Sequence, residues 1–482
     1  MKIKPRFWVF ASAIAAALLA PASRGQAPDF QALVAGQPLE LHVFTQGAFG
    51  LFAFGGPTDV EIRTGFDVRW VSIRPLSAGI MATIAPDHHG VRFHVESVLP
   101  LTVEFNDDIT RVVHLFPYAP ETDAPAPDTP GVRYFGPGVH EAGLIELGEG
   151  QTLYLAPGSW VKGNVRVVNA RNVTIRGRGV LDGSEVGSRP EPRGNGGPSG
   201  VGMRNMIYLE HTTGATIEGI TIFNSDFEWT VFLNGATGTH IDGLKILNPS
   251  LRYGDDGIDV VSSSDTMIEN IFVRTNDDCV VVKNLLDVDT HDISVRHAVL
   301  WNMPNGGNGL EIGFETRNHS IHRVHFQDVD VLHVEHGSAI SIHDGDASTV
   351  EDVSFDDIRV EDARRKLIDF AVIYAQYGYD KPATPEENAR RIDRGGTWDG
   401  LLSFTPEEKA QRAQYRGHIR NVRVRNLRVV DGSLPYSVIA GFDAEHGIDG
   451  VFIEGLQYLG RPILNPADGK FTIENARDVV FR

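Results

Sequence analysis

"MIENIFVRTNDDCVVVKN", residues 267–284, carries two signals in one short stretch. The first is spacing. Ile268, Ile271 and Val273 follow the order apolar, two residues, apolar, one residue, apolar, with Asn270 at a polar bend. The same order recurs at Ile217/Ile220/Ile222, Ile241/Leu244/Ile246, Val295/Ala298/Leu300, Phe326/Val329/Val331, Phe355/Ile358/Val360, Val424/Leu427/Val429 and Ile453/Leu456/Tyr458. Successive starts lie 24, 27, 27, 31, 29, 69 and 29 residues apart. Gly219, Gly243, Asn270, Asp357, Asn426 and Gly455 occupy the bend, where residues tolerant of left-handed backbone are favoured. Short strands at a fixed period are the mark of a stacked solenoid, in which each unit buries its apolar face on its neighbours. The gaps are too short and too polar for crossover helices, which excludes doubly wound and helix-ringed barrel folds. The reading is all-β: a right-handed parallel β-helix.

The second signal is chemical. Asp277 and Asp278 are adjacent like charges, followed by a β-branched run. "GDDGIDVVSS" (254–263) repeats that arrangement one unit earlier. Equivalent positions of neighbouring coils lie about 4.8 Å apart. Aligning "DGIDVV" (256–261), "DCVVVK" (278–283), "NGLEIG" (308–313) and "SAISIH" (338–343) stacks Asp256 on Asp278, with Asn308 and Ser338 continuing the column and Asp277 beside it. Three carboxylates then converge on one patch. Crowded carboxylates hold one another's protons, and an acid beside a base is what glycoside hydrolysis needs. Glu311 points opposite to Leu310 and Ile312, which makes it a candidate sugar ligand together with Asn308 and His343. Trp229, Arg252 and Tyr253 flank the patch, and Tyr253 is a candidate stacking residue.

The centre of the sequence resembles glycoside hydrolase family 28, the polygalacturonase-like enzymes. "NPSLRYGDDGIDVVSSSDTMIENIFVRTNDDCVVVKN" (248–284) is similar to that family's Asn-x-Asp-Gly-x-Asp block followed by Asp-Asp-Cys, "NSDFEWTVFLNG" (224–235) to the coil before it, and "GRGVLDG" (177–183) to its first coil. The resemblance covers about residues 150–360 and implies an inverting hydrolase, with Asp277 as general acid and Asp256 and Asp278 holding and activating water. Asp255 is a rival for Asp256, because the pair is doubled, and is also a candidate sugar ligand. Two departures bear on substrate. The family's Gly-His-Gly is Gly307-Asn308-Gly309 here, and its Arg-Ile-Lys, which binds the galacturonate carboxylate, falls on Ser341-Ile342-His343. With those cations missing, the expected substrate is a neutral or pectin-related glycan rather than plain homogalacturonan. The order of sandwich then β-helix with three Asp also resembles family 49, the dextranases and isopullulanase, an α-glucan alternative. Rivals of other classes are a polysaccharide lyase, which would need a Lys or Arg base, and a non-catalytic glycan-binding protein.

Outward from the solenoid, residues 27–117 carry alternating strands. "LELHV" (39–43) places Leu39, Leu41 and Val43 on one face, and "VRFHVE" (91–96) and "LTVEF" (101–105) repeat the alternation. The expectation is an N-terminal antiparallel β-sandwich, joined by a Pro- and Asp-rich linker, 118–132, to a β-helix over 133–482. Insertions are expected at 185–203 and 363–418, the latter with a short helix in "TPEEKAQRAQ" capped by Thr405.

The chain of 482 residues has a formal net charge of −19, which sets it against nucleic acid as a partner. Residues 1–26 read as a signal peptide, with Lys2, Lys4 and Arg6 before an apolar run, so an exported, periplasmic or extracellular protein is expected. No later stretch is apolar enough for membrane insertion. Cys279 is the sole cysteine, which precludes an intrachain disulfide and reads as a buried thiol. His319, His322 and His325 do not share a strand face, and neither a metal nor another cofactor is expected.

Overall fold

The computed structural model describes residues 29–186, 204–225, 228–249, 254–304, 306–317, 319–375, 378, 380, 391–392, 401–402 and 405–482. The expected signal peptide and Tyr253 and Arg252 lie outside them, as do most of the 185–203 insertion and part of the 363–418 insertion.

The repeat sets the architecture. From Val132–Phe135 to Ala476–Phe481 the strands join into one 29-stranded parallel coil, apart from one antiparallel pairing near its end. Ile217, Ile241, Ile268, Val295, Phe326, Phe355, Val424 and Ile453 pair in series and form a single inward column. Ile222, Ile246, Val273, Leu300, Val331, Val360, Val429 and Tyr458 form a second. Each buried Ile or Leu side chain contributes about 1.5–3 kcal/mol by leaving water, but only when the coils above and below are present. The bends between the columns share one conformation. Gly219, Gly243, Asn270, His297, Asp328, Asp357, Asn426 and Gly455 all have φ between 52° and 75°. There Asn270 donates to Asp242 (2.7 Å) and Asn426 to Asp357 (3.0 Å), so the stack of bends is also hydrogen-bonded.

The 69-residue gap is an insertion within one coil, because Phe355 pairs directly with Val424 across it. Within it, helix Pro406–Ala413 starts at Thr405, whose hydroxyl accepts from the Glu408 N–H while Glu408 accepts from the Thr405 N–H.

The N-terminal region forms two five-stranded sheets. Val91, Phe93, Val95, Leu101, Val103 and Phe105 are buried between them, as the alternation requires. Two details depart from the sequence reading. Strand Val112–Tyr118 pairs in parallel with Gly47–Ala53, so the sandwich is not purely antiparallel. "LELHV" is not one strand: Gln37–Leu39 lies in one sheet and His42–Phe44 in the other, and Val43 is 49% exposed. The chain crosses between sheets at Glu40 and Leu41, which resets the alternation.

The sandwich sits on the coils through Phe44, Phe49 and Phe116, which pack against Phe223, Phe272, Val299 and Trp301. Arg274 is wholly buried in this interface. Its guanidinium donates to His114 Nε2 (2.8 Å) and Gln46 Oε1 (3.3 Å) and lies over the Trp301 ring. Burial pushes Arg274 down to about 9 and holds His114 well below the usual imidazole range, so the ring stays neutral and accepts. The strand carrying Arg274 runs on, within two residues, into the turn that presents Asp277.

Candidate active site

Strand Ser264–Thr275 ends, the chain turns, and Val280–Asn284 begins. One coil earlier the same turn precedes Ile258–Val261. Val280 pairs with Ile258, Leu310 with Val280 and Ile340 with Leu310, so Asp256, Asp278, Asn308 and Ser338 occupy one column, as the alignment requires.

Asp277 stands at the lip of this column, half-buried. Its Oδ2 accepts from the Gly254 N–H (2.9 Å) and its Oδ1 from the Asp278 N–H (3.1 Å). Asn302 donates to its carbonyl (2.8 Å), and so does Thr275 Oγ1 (2.8 Å). Burial, and then the charge of Asp256, push its carboxyl up to about 7. Asp278 is buried, and its Oδ1 accepts from both the backbone N–H (2.7 Å) and Nδ2 (2.8 Å) of Asn308. Burial and the charges of Asp256 and Asp277 nonetheless raise it well above the carboxylate range. Asp256 is raised by burial, an effect that Lys283 Nζ, 3.1 Å away, opposes. Proton affinities so coupled belong to the cluster rather than to any one acid.

Asp255 has another place. It is fully buried, and its carboxylate accepts from the backbone N–H of Asn276 (3.2 Å), the backbone N–H of Asp277 (3.1 Å) and Asn276 Nδ2 (2.9 Å). It builds the turn that holds Asp277 and does not face a substrate, which corrects its reading as a sugar ligand and as a rival of Asp256. Asn308 passes polarity along the column, because its Oδ1 accepts from the Ser338 N–H (2.9 Å).

Glu311 and His343 are also corrected. Both point outward from their strands, as the alternation requires, but outward here is into a buried ion cluster. His343 Nδ1 meets Glu311 (2.9 Å) and His343 Nε2 meets Asp369 (2.9 Å). Glu311 also accepts from Ser341 Oγ, and Lys366 Nζ donates to Asp369. Both imidazole nitrogens are taken, so His343 stands where the family has a cation but offers a substrate no donor.

Lys283, Asp259, Glu315, Lys366 and Asp369 escaped the sequence reading. Lys283 lies 3.1 Å from Asp256, 3.2 Å from Asp259 and 3.6 Å from Glu315, with Nζ 3.7 Å over the Trp229 ring. The alternation in "IDVV" and "VVVK" places Asp259 and Lys283 outward beside the Asp column, which was the available signal. Lys366 continues the column after Ser338.

Cys279 is buried and pushed up to about 12 by burial, which suits an inert structural thiol. His319 pairs with Asp287 (2.7 Å) and His325 with Ser354 (3.1 Å), so these histidines do not converge. Among the described residues, His333, Glu335 and Asp362 form the one group close enough to share a cation. They lie under the sandwich, where Glu104 takes His333 (3.0 Å) and Arg364 takes both Glu335 (3.1 Å) and Asp362 (3.1 Å). Among the described residues, no helix is long and apolar enough to cross a membrane.

Comparison with known proteins bears on this geometry. Residues 156–391 match the profile of glycosyl hydrolases family 28. A probable endopolygalacturonase C of Aspergillus aculeatus is 28% identical over 228 residues, 45% of this chain and 55% of the relative. A polygalacturonase of Cochliobolus carbonum is 24% identical over 204 residues, 41% of this chain and 51% of the relative. The chain thus spans about half the length of the curated relatives it matches. In fold, Dex49A from Penicillium minioluteum superposes with a TM-score of 0.54 at 16% identity, over 88% of this chain and 83% of that one. The coils that carry the carboxylate column lie within residues 156–391, the stretch that is similar to the glycosyl hydrolases of family 28.

Proposed function

We propose that this chain is an exported, inverting glycoside hydrolase. Asp277 is the general acid, and Asp256 and Asp278 hold and activate the attacking water. One observation carries the reading: a half-buried carboxyl pushed up to about 7 stands beside two buried carboxylates on adjacent coils. An acid poised near neutrality gives its proton to the leaving oxygen, while the neighbours supply the base. Activity is then expected to rise as the base ionises and to fall as pH passes about 7 and Asp277 loses its proton.

The substrate is a neutral glycan, or a pectin-related glycan other than homogalacturonan. In support, Lys283, Lys366 and His343 are each bonded to carboxylates of the chain itself, which leaves their charge matched before any uronate arrives. An α-glucan such as dextran or pullulan is the second reading, favoured by the order of sandwich then solenoid. A reducing-sugar assay on dextran, pullulan, rhamnogalacturonan and polygalacturonate, with Asp277→Asn alongside, tests both. The expected result is release from a glycan other than polygalacturonate, lowered by about 100-fold or more in the variant. Release unchanged in Asp277→Asn would remove Asp277 from the mechanism. Preference for polygalacturonate would overturn the substrate reading.

A further inference from the structure

Away from the carboxylate column, a groove of about 590 Å³ opens where the sandwich meets the first coils. That volume falls in the range of sites for small ligands. Both parts of the chain line it: Glu40, His42 and Tyr118 from the N-terminal side, Trp160, Lys162 and Arg178 from the coils. Trp160 is half-buried and fixed. Its indole N–H donates to Asp182 (2.8 Å), and the His42 and Phe49 rings lie 4.7 and 6.3 Å from it. Val139, also in the wall, is 66% exposed. Ser159 lies in the wall too; it is 2% exposed and its hydroxyl has no hydrogen-bond partner. That hydroxyl occupies space that only glycine at position 179 leaves open, since a Cβ there would lie 2.0 Å from it. A buried hydroxyl without a partner is costly and asks for an explanation at a site.

The two cations are already matched. Lys162 pairs with Glu141 (2.8 Å) and Glu185 (3.3 Å), and Arg178 with Glu218 (3.3 Å). The groove therefore offers a ring face, aliphatic surface, two cations matched by carboxylates, and the Glu40 carboxylate as an acceptor for hydroxyls. This suits the alternating C–H faces and hydroxyls of a neutral sugar better than an anion or a purely apolar ligand. Its position ties it to the column. Trp160 pairs with Val180, Val180 with Thr221, Thr221 with Lys245 and Lys245 with Phe272, on the strand that enters the Asp277 turn. Four strand steps of about 4.8 Å put the groove roughly 19 Å from that strand, within reach of one polysaccharide chain.

We propose that this groove is a second glycan-binding site, which takes a neutral segment of a polysaccharide outside the cleft and so raises the chain's hold on long substrates. The choice of a glycan rests on the hydrolase reading above. The test is affinity electrophoresis of the Asp277→Asn chain in gels containing dextran, pullulan or rhamnogalacturonan, with hydrolysis of the same glycans measured on the parent. Lys162→Ala and Val139→Asp alter partly exposed groove positions, and Trp160→Ala removes the ring. Thermal melts identify any variant whose domains no longer pack. Retardation weakened about fivefold by Lys162→Ala with Val139→Asp is expected. Retardation that no groove variant changes overturns the groove, whatever the hydrolysis shows. Groove-dependent retardation without hydrolysis by the parent keeps the groove and overturns the hydrolase reading. Neither retardation nor hydrolysis on any of these glycans overturns both.

Discussion

At coils 255–283, Asp256 and Asp259 pair with Lys283, Asp277 and Asp278 stand beside them, and Asp255 lies under the Asp277 turn. Further along the same sheet, Glu311 and Asp369 share His343, and Lys366 adds a second cation. Both groups lie on the outward side of one ladder of strands, and both are buried. Their protons are distributed in opposite ways. In the first group burial wins and every one of the five carboxyls is raised, Asp277 to about 7. In the second, burial would raise Asp369 and lower His343, but the partners outweigh it: Asp369 falls to about 2 and His343 rises to about 10. Burial alone therefore does not mark a reactive acid. What marks it is burial with too few cations to match, and the same outward row of one sheet supplies both cases.

The largest test of that contrast is Lys366→Met. It leaves Asp369 buried with His343 as its remaining cation, and breaking a buried pair by removing one partner costs about 3–5 kcal/mol. A urea melt at neutral pH checks it. By comparison Asp277→Asn removes a carboxyl that has no cation partner among the described residues and is only about half ionised at pH 7, and is expected to change stability by about 1 kcal/mol or less. If Lys366→Met melts like the parent, the second cluster is not the ion-paired structure described above.

The dependence of stability on pH sharpens the contrast, and its sign differs between the groups. Asp277 is raised from 3.8 to about 7, so the folded state binds its proton more tightly and stability falls as pH rises from about 4 to about 7. Asp277→Asn lacks this loss, and above pH 7 the variant should exceed the parent by on the order of 1 kcal/mol. His343 is raised from 6.5 to about 10, so its contribution is complete below 6.5 and is lost as pH climbs through about 10. Asp369 is lowered from 3.8 to about 2, so its contribution is present above 3.8 and is lost as pH falls through about 2. Melts of the parent, Asp277→Asn and His343→Gln from about pH 2 to about pH 11 separate the windows. A His343→Gln chain with an unaltered alkaline limb would contradict the pairing.

Much of this was legible before any coordinates. The apolar spacing gave the inward columns because each strand is short and each bend polar, and the Asp256–Asp278–Asn308–Ser338 column followed from the register it imposes. Thr405 and Glu408 announced their helix start through local chemistry alone. What escaped had to cross coils. The alternation of Glu311 with Leu310 and Ile312 turns it outward, but outward residues of adjacent coils also face one another, and that is how Glu311 meets His343. Lys366 and Asp369 sit in the coil that leads into the long insertion, where the regular period breaks and apolar spacing no longer shows which residues stack. Arg274 and its acceptors were invisible for the same reason, since His114 and Gln46 arrive 160 and 228 residues away in the chain.

The finest test lies at Asn308, which touches the reactive column on one side and Ser338 on the other. Its backbone N–H and Nδ2 both donate to Asp278 Oδ1, and donors to a carboxylate favour its ionised form. Asn308→Ala keeps the backbone donor and removes the side-chain one. With less support for the charged form, Asp278 holds its proton to higher pH. If Asp278 helps to activate water, the acid limb of the pH–rate profile on the preferred glycan moves upward by about half a pH unit. The alkaline limb, set by Asp277, stays in place. The lost bond to the Ser338 N–H costs about 1 kcal/mol in a melt, small enough for the variant to fold and be assayed. Should both limbs move together, the carboxyls titrate as one unit and the division of roles between Asp277 and Asp278 fails. Should neither move, Asp278 is no base, and the water belongs to Asp256 with Lys283.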